Sequence, residues 1–204
     1  MSTKHSTRSQ RNPFTKRREP LHFLLWLGIG GSVLIFSILI IIYTLREEGP
    51  TWQLTTLPGV FWLSTLAVTL SSVTLHEANR AFQTEEFALY RTGMACTFFL
   101  GILFAILQVT GWVVLKQEGL IMRNNPAVGF VYLLSGLHLL HILGGLYFLG
   151  KCFREALINK TYVDAFVYSV NPPNRLKLKL ITTYWHFVDV LWLALFLFLL
   201  FQTA

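Results

Sequence analysis

Five apolar runs divide the chain, at residues 22–45, 57–75, 93–115, 127–150 and 178–202. Each is long enough to cross a bilayer as a helix, which takes about 20 residues. The runs differ in their polar content. The first, HFLLWLGIGGSVLIFSILIIIYTL, has no charged residue, and its Gly28 and Ser32 form a small-xxx-small pair suited to close helix approach. The second carries Ser64, Thr65, Thr69, Ser71, Ser72 and Thr74. Hydroxyls in such number suit a helix interface better than lipid. The pattern predicts an all-α membrane protein, a bundle of five transmembrane helices filling residues 22–204.

Composition agrees: 53% of the 204 residues are hydrophobic and 13% are charged, against about a quarter charged in soluble domains. Residues 1–21 are polar, basic and aperiodic, so a flexible arm is expected there. The first apolar run is too long for a signal peptide's core and no small-residue cleavage pattern follows it, so it is expected to stay in the mature protein.

Charge placement sets an expected orientation. Fourteen of the 17 Lys and Arg fall in alternate segments on the side of the N-terminus, and three on the other. The positive-inside rule then puts the N-terminus in the cytoplasm and the C-terminus outside. The net charge of +7 is thereby explained as membrane topology, and nucleic acid is not an expected partner. Cys96 and Cys152 stand alone, without a CxxC or haem-attachment spacing, and are read as packing residues. The one sizeable loop, 151–177, contains NPPNR, whose proline pair is expected to end regular structure before the last helix.

The candidate chemistry lies in the last two runs. His138 and His141 are three apart on one helix, and His186 and Asp189 three apart on the next. Measured from the ends of the apolar runs on antiparallel helices, His141 comes level with His186 and His138 with Asp189. Three roles fit such a buried polar cluster: a hydrogen-bonded helix lock, a proton-relay or lipid-headgroup site, or a metal or haem site. Gln108 is expected to bond across helices, and Trp112, four residues on, to anchor at the outer interface. His76 and Arg80 sit at the cytoplasmic boundary of the second run. With Trp185, Gln108 and Trp112 they are the candidates for lipid or subunit contacts.

These residues carry a family resemblance. TYWHFVDVLWLALFLF closely resembles the last helix of subunit III of haem–copper terminal oxidases, and GLHLLHILGG that family's GLHGLHVxxG motif, with Leu139 at a common glycine position. FWLSTLAVTLSSVTLHEANRA and FLGILFAILQVTGW are similar to two further segments, so the resemblance covers about residues 22–202. It is closest to the five-helix bacterial form. Ser32 stands where family members often carry a buried Glu, so no role of that Glu transfers here.

The resemblance implies a non-catalytic subunit III of a proton-pumping cytochrome c oxidase in a bacterial cytoplasmic membrane, without haem, copper or active site of its own. It would stabilise subunit I, support proton uptake and bind phospholipid. The expected partners are subunits I and II and membrane lipids, with membership of a respiratory supercomplex left open. Under it, His138, His141, His186 and Asp189 form a helix lock. The alternatives are subunit III of a quinol oxidase, or a small b-type haem or quinone-binding membrane protein. A transporter is disfavoured because no pair of broken half-helices is visible.

Overall fold

The structure is a computed structural model that describes residues 18–46, 57–120 and 125–203. The predicted basic arm, apart from Arg18 and the residues that follow it, lies outside the described residues, as does Arg123. Among the described residues there are six helices: α1 (Arg18–Arg46), α2 (Val60–Gln83), α3 (Phe87–Gln117), α4 (Pro126–Ile158), α5 (Tyr162–Val170) and α6 (Pro172–Phe201). Four of them, α1, α3, α4 and α6, are long and apolar enough to cross a membrane. At 24 residues α2 has the length, about 36 Å. Its serines and threonines keep its hydropathy below that of the other four.

The helices outrun the apolar stretches at one end of the bundle. Where the apolar runs stop at Leu75 and Gly150, α2 continues to Gln83 and α4 to Ile158; α3 and α6 begin at Phe87 and Pro172, ahead of Gly93 and Leu178. Hydropathy marks the oily zone of a helix, while backbone hydrogen bonds continue wherever side chains permit. The proline pair shows this. Pro172 and Pro173 were expected to break structure, yet they occupy the first turn of α6, where a missing N–H costs nothing and a fixed φ is favourable. Likewise Pro126 opens α4, and the Asn125 side chain accepts the Ala127 N–H at 2.9 Å.

The expected loop 151–177 therefore shrinks to a few residues around α5. That short helix turns Ala165 and Ser169 inward and leaves Tyr162, Val163, Phe166, Val167 and Val170 exposed. It is tied down at both sides. Arg91 of α3 donates to the Lys160 carbonyl at 2.9 Å, Arg175 to the Ser169 carbonyl at 2.6 Å, and the Tyr168 hydroxyl to Glu155. Glu155 also accepts from Lys177 at 2.6 Å, a partly exposed ion pair of small energetic weight. Burial, and then the bond to Glu155, hold the Tyr168 phenol protonated above its usual range.

Packing centres on α6. Trp185 and Trp192, seven residues apart, are both fully buried, and the indole of Trp185 lies between two glycines. A Cβ at Gly101 of α3 would stand 2.8 Å from its ring, and one at Gly145 of α4 would stand 3.1 Å away. On the other side, Gly93 lets α3 close on Ala78 of α2, where a Cβ would meet the alanine methyl at 2.8 Å. The tight α2–α3 hairpin turns through Glu85, whose φ is 64°. Cys152 packs in the core as expected; Cys96 is exposed on α3 and does not.

The first helix is held by one narrow seam. His22, Leu25, Ile29, Ser32, Phe36, Leu39 and Tyr43 alternate three and four apart, and these positions turn toward the bundle. Such spacing is that of a coiled-coil stripe. Phe36 enters a cluster with Leu134 of α4 and Leu191 and Leu195 of α6, and Tyr43 meets Phe130 and Phe198 edge-on. Most other α1 side chains are apolar and exposed. Ser32 of the expected small-xxx-small pair sits in this seam, but Gly28 faces outward with nothing near its Cβ position.

Gly101→Ala should lower stability by about 1–3 kcal/mol, the usual cost of overpacking, because the Trp185 ring cannot retreat. Gly129→Ala, where a Cβ meets nothing within 4 Å, should not; thermal unfolding in detergent compares the two. Stability should also fall above about pH 10, where the unfolded chain's tyrosines ionise while Tyr168 stays protonated. A pH series of unfolding curves should show a shallower fall for Tyr168→Phe.

Candidate functional site

The α2–α6 interface gathers most of the polar groups. Thr65, Ser72 and Asn79 recur every seven residues along α2, with Ser71 beside them. The antiparallel α6 meets them in order. The Trp192 indole N–H donates to Thr65 at 3.0 Å, the Trp185 N–H to Ser71 at 3.0 Å, and the Asn79 amide to Thr182 at 3.1 Å. Between them, His186 Nδ1 and the Ser72 hydroxyl are 2.6 Å apart. Three of the α2 hydroxyls are thereby accounted for: Thr65, Ser71 and Ser72 each supply an oxygen to a polar group of α6.

A second polar layer joins α2, α3 and α4. The Gln108 amide donates to Ser64 at 2.9 Å, the Trp112 indole to Ser135 at 2.9 Å, and the Thr74 and Thr97 hydroxyls are 2.9 Å apart. The expected cross-helix bond of Gln108 is thus present. Trp112 spends its donor on α4 and not at a membrane interface. Trp185 and Gln108 are fully enclosed by this chain's own helices, so their side chains are not available for the lipid or subunit contacts expected of them. His76 and Arg80 are exposed near the end of α2.

The four residues His138, His141, His186 and Asp189 do not bond to one another. The packing of α4 on α6 is as expected, but the register is displaced by nearly one turn: the His138 ring faces Trp192 at 5.1 Å, three residues beyond Asp189. The displacement follows from the helix ends, which lie at Ile158 and Pro172 and not where the apolar runs stop. Residues three apart also diverge by about 60° around a helix, so each member of a pair turns to a different neighbour. His141 Nε2 reaches Ser32 of α1 at 2.9 Å, while its Nδ1 lies 2.8 Å from the Leu137 carbonyl. That carbonyl can only accept, so Nδ1 carries a hydrogen. Ser32 lies 2.8 Å from the Gly28 carbonyl as well. A neutral His141 ring accepts the serine proton at Nε2; a charged ring leaves it to Gly28.

His138 and Asp189 are the deepest polar groups and the least satisfied. His138 is fully buried and Asp189 is 3% exposed. Neither side chain has a hydrogen-bond partner among the described residues, and the Gln108 Oε1 atom is in the same position. The Ser72 hydroxyl lies beside the Asp189 carboxyl without completing an aligned bond. An Asp189 helix lock through His138 is therefore absent.

Among the described residues no three of His, Cys, Asp and Glu gather as a metal site requires. A haem between the histidines does not fit either: Phe104 and Trp192 flank His138 at 5.6 and 5.1 Å, and His141 and His186 are turned to serines. Sequence reasoning missed the partners on α2, although the seven-residue recurrence of Thr65, Ser72 and Asn79 was a visible signal.

Residues 49–204, carrying this whole α2–α6 interface, match the family described as Cytochrome c oxidase subunit III. The chain belongs to that family. It is 23% identical to cytochrome bo(3) ubiquinol oxidase subunit 3 of Buchnera aphidicola, over 86% of this chain and 90% of that one. Probable cytochrome c oxidase subunit 3 of Rickettsia prowazekii is 29% identical over 67% of this chain, and that of Mycobacterium bovis 29% over 65%. The chain covers 46% and 61% of those two relatives. On its long apolar helices and these bacterial relatives, the subunit III family member described here is a multi-pass protein of a bacterial cytoplasmic membrane.

A double-mutant cycle on Ser71→Ala and Trp185→Phe should give a coupling of about 0.6–1.7 kcal/mol, the range of measured hydrogen bonds between membrane helices. Asp189→Asn should change stability less than either, since Asp189 bonds to no neighbour; unfolding equilibria in mixed micelles measure all three.

Proposed function

We propose that this chain is the non-catalytic subunit III of a haem–copper terminal oxidase, packed beside subunit I and binding phospholipid. The observation that carries this is the family match over residues 49–204. In this reading α2 is a fifth span, giving the five-helix bacterial form with the N-terminus in the cytoplasm and the C-terminus outside. The asymmetry of Lys and Arg supports that orientation, and so does the projection of α2, α3, α4 and α6 beyond the apolar zone on the same side. His76 and Arg80 then stand at the cytoplasmic face, open to lipid or a neighbouring subunit. Trp112, half-buried, is the remaining contact candidate.

A quinol oxidase is the favoured setting, because the match to a ubiquinol oxidase subunit 3 runs nearly end to end on both chains. Cytochrome c as donor is the second reading, supported by the higher identity, 29%, to cytochrome c oxidase subunits over a shorter stretch. Under either reading the haem and copper belong to partner subunits, and this chain contributes assembly, lipid binding and support of proton uptake.

Purification through a tag on residues 1–17 in mild detergent should bring down a larger haem-bearing subunit, and a wash that strips this chain should leave the haem with that partner. A haem spectrum that stays with the stripped chain would overturn the assignment. Oxygen consumption with ubiquinol against reduced cytochrome c then separates the two donors.

A further inference from the structure

A line of polar side chains leads from the end of α2 to the unpartnered carboxyl of Asp189. His76 is exposed, one helical turn beyond Ser72 on the same face of α2, and close to His186. His186 is half-buried, and its Nδ1 meets the Ser72 hydroxyl at 2.6 Å. Ser72 in turn lies beside Asp189. Each step goes deeper, from an exposed imidazole through a half-buried one to a carboxyl enclosed by the bundle.

The two Asp189 oxygens and both His138 ring nitrogens lack protein partners among the described residues. Buried polar groups without protein partners are the places where internal water is held. His138 sits one turn deeper than Asp189, level with Trp192, and Gln108 Oε1 is a third unsatisfied acceptor. Any water held at this depth would find its partners among these groups.

We propose that Asp189 is a proton-exchanging carboxyl, reached from the surface at the end of α2 by a hydrated line through His76, His186 and Ser72. A proton arriving from water enters the His186 ring at Nε2. The Nδ1 proton passes to the Ser72 oxygen, and the serine's own proton passes through a bridging water to the Asp189 carboxylate. One N–H and one O–H bond form for each that breaks, and the path runs equally in reverse. The titratable groups on the elements around Asp189 are His76, Glu77 and Arg80 of α2, His138 and His141 of α4, and His186 on α6 itself. Neither α1 nor α3 brings a charged side chain to this depth; Ser32 and Gln108 are their polar groups here.

The line is independent of which face is cytoplasmic, but its use as a proton supply to the oxidase rests on the function proposed above. The test is infrared difference spectroscopy of the purified complex after a jump from strongly alkaline to acidic buffer. A carboxylic-acid band should appear, and should be missing in Asp189→Asn. Ser72→Ala and His186→Gln should retain the band and slow its appearance on the order of tenfold or more, as loss of a positioned proton-transfer group does. Leu197→Ala, at an exposed position of α6, should leave the rate unchanged and report that the fold is intact. Absence of any band lost in Asp189→Asn would overturn the proposal, as would equal rates in all variants.

In sealed vesicles the band should answer to pH on one face only, that of the α2 C-terminal end. A response from the face carrying the C-terminus of the chain would overturn the line itself. If the responding face is that of the α2 end but labelling places it outside, the line stands and the proposed orientation falls.

Discussion

Inside a bilayer there is no hydrophobic force to bring helices together, since lipid is as apolar as leucine. Helices associate where packing is close and where a polar group has nowhere else to bond. Trp185 combines both conditions. Its ring fills a slot that only glycine at positions 101 and 145 leaves open, and its N–H finds the Ser71 hydroxyl of α2. One residue thereby fixes α6 against three other helices at once. Trp192 repeats the arrangement two turns along, against Thr65, Phe104 and His138.

From that constraint the composition of α2 follows. A helix that must offer oxygens to two indoles and an imidazole, and an amide N–H to a threonine, cannot be uniformly oily. Its hydroxyls are a requirement of its neighbour, and they cost little because serine and threonine can return their own proton to the preceding turn, as Ser71 does to Val68. Asp189 stands outside this economy. An ionised aspartate near a bilayer centre costs roughly 2.5–3.5 kcal/mol, and here it completes no hydrogen bond with the chain that would offset the cost. Its place beside Ser72 and His186 suits the proton exchange proposed above.

Much of the fold was legible because bilayer thickness imposes a length on apolar runs, and residues 22–45, 93–115, 127–150 and 178–202 obey it. The ends were not legible from the same signal. Pro172 reads as a breaker in isolation and acts as a helix starter in the first turn of α6. That error carried into the site, since placing His186 and Asp189 by the edge of the oily zone moved them one turn against His138. The burial of His138 and Asp189 was visible in their apolar flanks. Their partners were not, because a sequence shows which residues share a helix face and not which neighbour that face meets.

The single seam of α1 bears on how the molecule is made. The first helix packs on α4 and α6, the third and last long elements after it, through a stripe that runs from His22 to Tyr43. During synthesis α1 is made before α4 and α6, so its seam has neither partner until those helices follow. The α4 side of the seam can form first, and the α6 side waits for the final helix. Loss of the last few turns of α6 would leave the first helix held on its α4 side alone.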